Sequence, residues 1–99
     1  MTNWTRLPQE QDDQDYHFSG TTYVTQGVLA VLSQEEILWI IADVKQFALH
    51  QKGIDYLQVY QRSDGLKVWC IDQLTKEQAS SGDFSAGDNH NTLLLPSEY

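Results

Sequence analysis

The sequence predicts an α+β domain of two layers, a mostly antiparallel sheet with one long helix packed on its face. Three observations lead there. Ser33 to Gly53 repeats apolar residues at a helical period between clear start and stop signals. Ile54 to Leu74 alternates as strands do, around a turn sequence. The signals also come in the order β-α-β-β-loop-β, which sets several strands against a single helix instead of alternating the two.

Met1 to Asp15 has only Trp4 and Leu7 as large apolar residues beyond its first position, and Gln9 to Asp15 is polar and acidic without periodicity. Such a stretch does not offset a backbone ordering cost of about 1–2 kcal/mol per residue. Residues 1–15 therefore read as a flexible acidic tail onto a single domain, 16–99, with Trp4 and Leu7 free to dock back. Thr21 to Leu32 is rich in β-branched residues and reads as a strand. Gly27 in its middle suggests a bulge or a close approach by another backbone. A short helical turn after Thr25 is the competing reading.

Ser33 is a favourable N-cap for the long helix, and Glu36 completes a capping box. Ile37, Ile40, Ile41, Val44, Phe47 and Ala48 form the apolar stripe. Glu35 and Glu36 in the first turn and Lys52 in the last suit the helix dipole, and Gly53 offers a left-handed stop.

Ile54 to Arg62 places Leu57 and Val59 on one face and Tyr56, Gln58, Tyr60 and Arg62 on the other. Ser63-Asp64-Gly65 is a turn, and Leu66 to Leu74 returns as the second strand of an antiparallel hairpin, with Val68 and Cys70 opposite Trp69 and Ile71. Thr75 to Asn91 reads as a loop with Phe84 as its anchor, and Thr92 to Leu95 as a short strand stopped by Pro96.

Six basic and fourteen acidic side chains give a formal charge of −8. That balance disfavours a nucleic-acid binder or an anionic membrane surface, because neutralising phosphate carries most of such affinity. It suits a soluble protein, or one with a basic partner. The lone Cys70 forms no internal disulfide, which points to a reducing compartment, and no signal-peptide pattern or bilayer-length apolar run occurs. The expected location is the cytoplasm.

Tyr23-Val24-Thr25-Gln26-Gly27-Val28, the helix with Trp39 and Asp43, Asp55-Tyr56-Leu57-Gln58-Val59-Tyr60, Trp69-x-Ile-Asp72 and Leu93-Leu-Leu-Pro-Ser-Glu-Tyr99 together resemble a loose group of small bacterial domains. These domains are often borne on plasmids and phages, and their shared pattern is T-x-G-V, a helix with tryptophan, an aromatic strand and a closing L-x-S-E-Y. The likeness covers about Phe18 to Tyr99 and implies an α+β core with a long middle loop. The group has no agreed activity, so it implies none here.

The chemistry-bearing residues make no recognisable constellation. Asp43, Gln46 and His50 share one helix face, but Asp43 and His50, the two of ligand type, stand seven positions apart and not at the i, i+3 or i+4 spacing of a metal site. Cys70 falls mid-strand, where an inert buried thiol is expected. No phosphate-cradling glycine loop, nucleophile elbow or CxxC pair occurs, and no cofactor is called for. At about 100° per residue, Trp39 falls opposite the apolar stripe with Asp43, Gln46 and His50, as an outward tryptophan would. Tyr56 and Tyr60 add polar-tipped aromatics. Trp39, Asp43, Gln46, His50, Tyr56 and Tyr60 are thus the candidate protein-binding residues of a small, acidic, non-enzymatic interaction module. Its partner would be another protein, a basic one in particular, or a second copy. One version is a mobile-element inhibitor that mimics nucleic acid. The rival reading is a small enzyme with a site built across a dimer from His90, Asp88 and Asp72.

Overall fold

The computed structural model describes residues 3–9, 16–18, 20–72 and 90–99. Its elements are β1 (Trp4–Arg6), β2 (Thr21–Val24), α1 (Gln26–Val31), α2 (Gln34–Gln51), β3 (Leu57–Arg62), β4 (Lys67–Asp72), β5 (His90–Leu94) and a closing 3-10 turn (Pro96–Glu98). The five strands form one sheet in the order β1-β3-β4-β5-β2, antiparallel except for the β2–β5 pair, so the fold is α+β with one long helix. The loop expected over residues 75–91, with Phe84, lies outside the described residues up to His90, as do residues 10–15 of the expected tail.

The long helix forms as its sequence signals require. Ser33 Oγ accepts from the Glu36 amide at 3.2 Å while Glu36 Oε1 accepts from the Ser33 amide at 2.9 Å. Ile37, Ile40, Val44 and Ala48 are buried, and Ile41 and Phe47 are half-buried beside them. The helix ends one residue earlier than Gly53 suggests. Lys52 is the left-handed residue, with φ 60°, and Gly53 follows at φ 120°, its amide bonded to the Ala48 carbonyl at 3.0 Å.

Three expectations change. Trp4–Arg6, read as part of a flexible tail, is an edge strand against β3, in register Trp4↔Arg62 and Arg6↔Tyr60. Trp4 is 5 % exposed. Burying one indole and pairing a short ladder is enough to order a segment that composition alone marks as unstructured. Thr21–Leu32 is not one strand. It breaks at Thr25, whose hydroxyl caps the Val28 amide at 3.3 Å and starts α1. Gly27 does permit a close approach, but by a side chain and not a backbone: a Cβ there would stand 2.6 Å from Glu98 Oε2.

Register assigns the two faces of the sheet. Tyr60 meets α2, so Arg6, Gln58, Tyr60, Val68, Cys70, Asp72, Asn91, Leu93, Thr22 and Val24 share the helix side. At the end marked by Asp72 and Asn91 this inner face is polar, and Phe18 and Gly20 supply partners to it. The Phe18 amide, in a left-handed residue with φ 52°, donates to Asp72 at 2.9 Å. Lys45 Nζ donates to the Phe18 and Gly20 carbonyls at 2.6 and 3.1 Å. Asn91 accepts from Thr22 Oγ1 at 2.7 Å.

Candidate functional site

Two carboxylates on α2, seven positions and hence about two turns apart, face the β1–β3 edge of the sheet. The first is Glu36. One of its oxygens closes the helix cap, and the other accepts from Trp4 Nε1 and Arg62 Nη1, each at 3.1 Å. Its carboxyl is held below the usual glutamate range, chiefly by the Ser33 amide and further by Arg62 and Trp4. Arg62 is itself gripped by Asp64 of the following turn through two bonds of 3.1 and 2.9 Å.

The second carboxylate, Asp43, organises the site. Its Oδ2 accepts from Tyr60 Oη at 2.7 Å and from Arg6 Nη1 at 2.5 Å. Tyr60 has no exposed surface. Burial above all, and then the Asp43 charge, push its hydroxyl well above the ordinary tyrosine range, so it serves as a fixed proton donor. The Arg6 guanidinium lies over the Phe47 ring, 3.7 Å from its centroid, with Phe47 one helical turn after Asp43. Arg6, Asp43, Gln46, Phe47 and His50 line an open cleft of about 320 Å³ between the first strand and the helix. Gln46 and His50 stand exposed at its rim.

The sequence-predicted residues divide accordingly. Asp43, Gln46 and His50 come together at the cleft, and Tyr60 lies beneath it, bonded to Asp43. Trp39 is not outward. It is half-buried and meets Tyr60 edge-on, centroids 6.2 Å apart. The helix presents a wider face to the sheet than the aliphatic stripe suggests, because β1 extends the sheet beneath its Glu36–Trp39–Asp43 side. Tyr56 is elsewhere, tilted against Tyr16 at 5.9 Å. Arg6 and Phe47 were missed as site residues. The signal that could have found Arg6 is the alternation Trp4-Thr5-Arg6, which puts the indole and the guanidinium on one strand face.

Of the residues of the rival reading, Asp72 and His90 lie on opposite faces of the sheet. Asp72 is buried on the helix side, whereas His90 lies on the other face, edge-on to Tyr23 at 5.2 Å. Asp88 is outside the described residues. Burial first, and the Asp72 charge second, push the Cys70 thiol well above its usual range, which makes it a poor nucleophile. Among the described residues no group of three histidine, cysteine or carboxylate side chains is arranged to hold a metal, and no helix is long and apolar enough to cross a membrane. Compared with protein-family models, curated proteins and solved structures, the chain matches none.

Proposed function

We propose that this protein is a small non-enzymatic interaction module whose contact centre is the cleft between β1 and α2. One observation carries the reading: Arg6 is pinned at the cleft between the Asp43 carboxylate and the Phe47 ring, with Asp43 itself held by the buried Tyr60. Arginine and aromatic residues concentrate the binding energy of protein interfaces. A guanidinium already fixed on a ring loses little rotamer freedom on binding, where a free long side chain costs about 0.5–1.5 kcal/mol to immobilise. Arg6 is still about 29 % exposed, so a partner can reach it. The net charge of −8 favours a basic partner through steering, while the cleft supplies the short-range contact.

A photo-crosslinking side chain at Gln46, on the cleft rim, tests this when compared with the same probe at Gln34, at the far end of the helix. In extracts of the native host, Gln46 should give one discrete adduct and Gln34 none. Excess unlabelled wild type should compete the adduct away, and Arg6→Ala protein of unchanged melting temperature should not. Equal labelling from both positions, or competition by Arg6→Ala as good as by wild type, would remove the cleft from the interface.

A further inference from the structure

The free edge of β1 and the cleft beside it make one groove. β1 bonds to β3 through alternate residues: the Leu7 amide donates to the Val59 carbonyl at 2.9 Å, and the Ser63 amide to the Asn3 carbonyl at 2.8 Å. In that register Thr5 and Gln61 bond each other as well, so Trp4 and Arg6 turn their N–H and C=O groups away from β3. Among the described residues β1 is the last strand on this side, and none bonds those groups. Unpaired main-chain groups at a sheet edge are a template for another strand, which proteins commonly guard with charge or proline. Arg6 does not guard this one. Its guanidinium is drawn off the edge onto Asp43 and laid on Phe47.

What lies beside the edge decides the chemistry of its occupant. A strand added to β1 would run about 4.8 Å outside it, and its residue opposite Arg6 would turn its side chain to the same face, toward α2. There it meets the cleft lined by Asp43, Gln46, Phe47 and His50. Oδ2 of Asp43 accepts from both Tyr60 and Arg6, but no described residue donates to Oδ1, and the side chain is 29 % exposed. A side chain with an apolar stem for the Phe47 ring and a cationic tip for that oxygen fits, and lysine has that shape. The −8 charge draws the same kind of partner. It also opposes a second copy: two acidic chains repel, and the only cation that β1 would bring is Arg6, which Asp43 already holds.

We infer that the groove between the β1 edge and α2 binds an extended, lysine-bearing segment of a basic partner protein, which joins the five-stranded sheet as a further strand beside β1. The inference rests on the cleft being the contact centre, as proposed above, and adds the form the partner takes there. Main-chain bonds to Trp4 and Arg6 hold any extended chain, and the cleft selects the side chain opposite Arg6.

Amide exchange of the full chain, followed by NMR, tests the open edge without a partner. The Trp4 and Arg6 amides should exchange at least about tenfold faster than those of Thr5 and Leu7, which bond to β3. Equal protection overturns the inference: the edge is then covered by its own chain if the protection is constant, or by a second copy if it grows with concentration. The occupant is tested with random 12-residue peptides displayed on phage, selected on the full chain and then synthesised. Selected peptides should carry lysine and should slow the exchange of Trp4 and Arg6. N-methylation should weaken them at least about tenfold at alternate residues, those whose amides bond β1, and be tolerated between. Norleucine in place of the lysine should weaken them by a similar factor. A library without binders, N-methyl losses without a period of two, or binding that leaves Trp4 and Arg6 exchange unchanged overturns strand addition. The Gln46 crosslink is read separately: a discrete adduct alongside any of these failures keeps the cleft as the contact centre, for a partner that is not an added strand.

Discussion

At one edge of the sheet, β1 and β3 are joined to α2 through Asp43 and Glu36; at the other, β2 and α1 are joined to the closing turn through Glu98. Both junctions are made by carboxylates, each accepting several hydrogen bonds. Glu98 accepts from Thr25 Oγ1 at 2.6 Å, the Leu95 amide at 2.8 Å and the Gly27 amide at 3.2 Å. The difference lies in what stands behind the oxygens. Asp43 and Glu36 meet guanidiniums and the polar tips of Tyr60 and Trp4, whose rings are buried. Glu98 meets a hydroxyl and two amides at an exposed surface. Apolar area withdrawn from water should therefore dominate the first junction. The second should trade one set of hydrogen bonds for another at small net gain.

The largest test of that contrast is Trp4→Ala. Deleting a buried indole should cost about 3 kcal/mol in urea denaturation, with an unchanged m-value. Gln46→Ala, exposed on the same side of the helix, should stay within about 0.5 kcal/mol of wild type. A Trp4 variant as harmless as the Gln46 one would mean that β1 frays in solution and behaves as the tail its composition suggests. Tyr60→Phe comes next. It leaves the ring in place and removes one hydrogen bond to a carboxylate that keeps Arg6, so about 1.5 kcal/mol is expected, the low end for a bond to a charged group. A loss several times larger would show that Asp43 depends on Tyr60 for its position, and that the cleft collapses without it.

What the sequence revealed, and what it hid, follows the same division. The long helix was legible because its information is local: a cap, a period and a stop within about twenty consecutive residues. The hairpin was legible because Asp64-Gly65 and the flanking alternation specify it. β1 was not, since three residues carry too little pattern to outweigh an acidic neighbourhood, and their partner strand lies more than fifty positions away. Trp39 was misplaced for the same reason. A helical wheel ranks residues by apolarity, but the sheet reaches under Asp43 and Glu36, so the buried face includes two carboxylates paired with arginines. At Thr25 the β-branched run favoured a strand, and the cap that begins α1 prevailed because Glu98 and the Val28 amide both need the threonine oxygen there. Thr25 and Gly27 at the start of α1 and Glu98 in the closing turn thus meet in space.

The exposed junction makes a prediction of sign. An added Cβ at Gly27 would fall 2.6 to 2.8 Å from all three atoms of the Glu98 carboxyl group. The group sits at the end of a flexible side chain, so Gly27→Ala should push it aside and forfeit the junction without breaking α1. In wild type the substitution should lower the melting temperature. In a Glu98→Ala background the obstacle is gone, and alanine's advantage over glycine in a helix, up to about 1 kcal/mol, should make the same substitution stabilising. The reversal is a coupling that a double-mutant cycle measures directly. Additive effects of the two substitutions would mean that Glu98 does not occupy the space above Gly27 in solution.

The smallest effect is a pH dependence, and it isolates the charge of Glu98. Its carboxyl is held below the ordinary value of 4.5, first by the Thr25 hydroxyl and then by the Leu95 and Gly27 amides. A carboxyl whose folded pKa lies below its unfolded one binds protons more weakly in the native state. Its contribution to stability is therefore complete above the unfolded value and is lost as the pH falls through the folded one. The melting temperature of wild type should exceed that of Glu98→Ala by a constant margin from pH 7 to about 5.5, and the margin should shrink below about pH 4.5. Glu36 and Asp64 are lowered in the same sense and titrate nearby, but they are present in both proteins and cancel in the difference. Arg62 is the leading cause at Asp64 and a lesser one than the Ser33 amide at Glu36, so Asp64 above all should respond to added salt, whereas neutral donors hold Glu98 and its margin should not. A margin that persists unchanged to pH 3 would show that protonated Glu98 accepts from Thr25 and Gly27 as well as the carboxylate does. The junction would then owe nothing to charge.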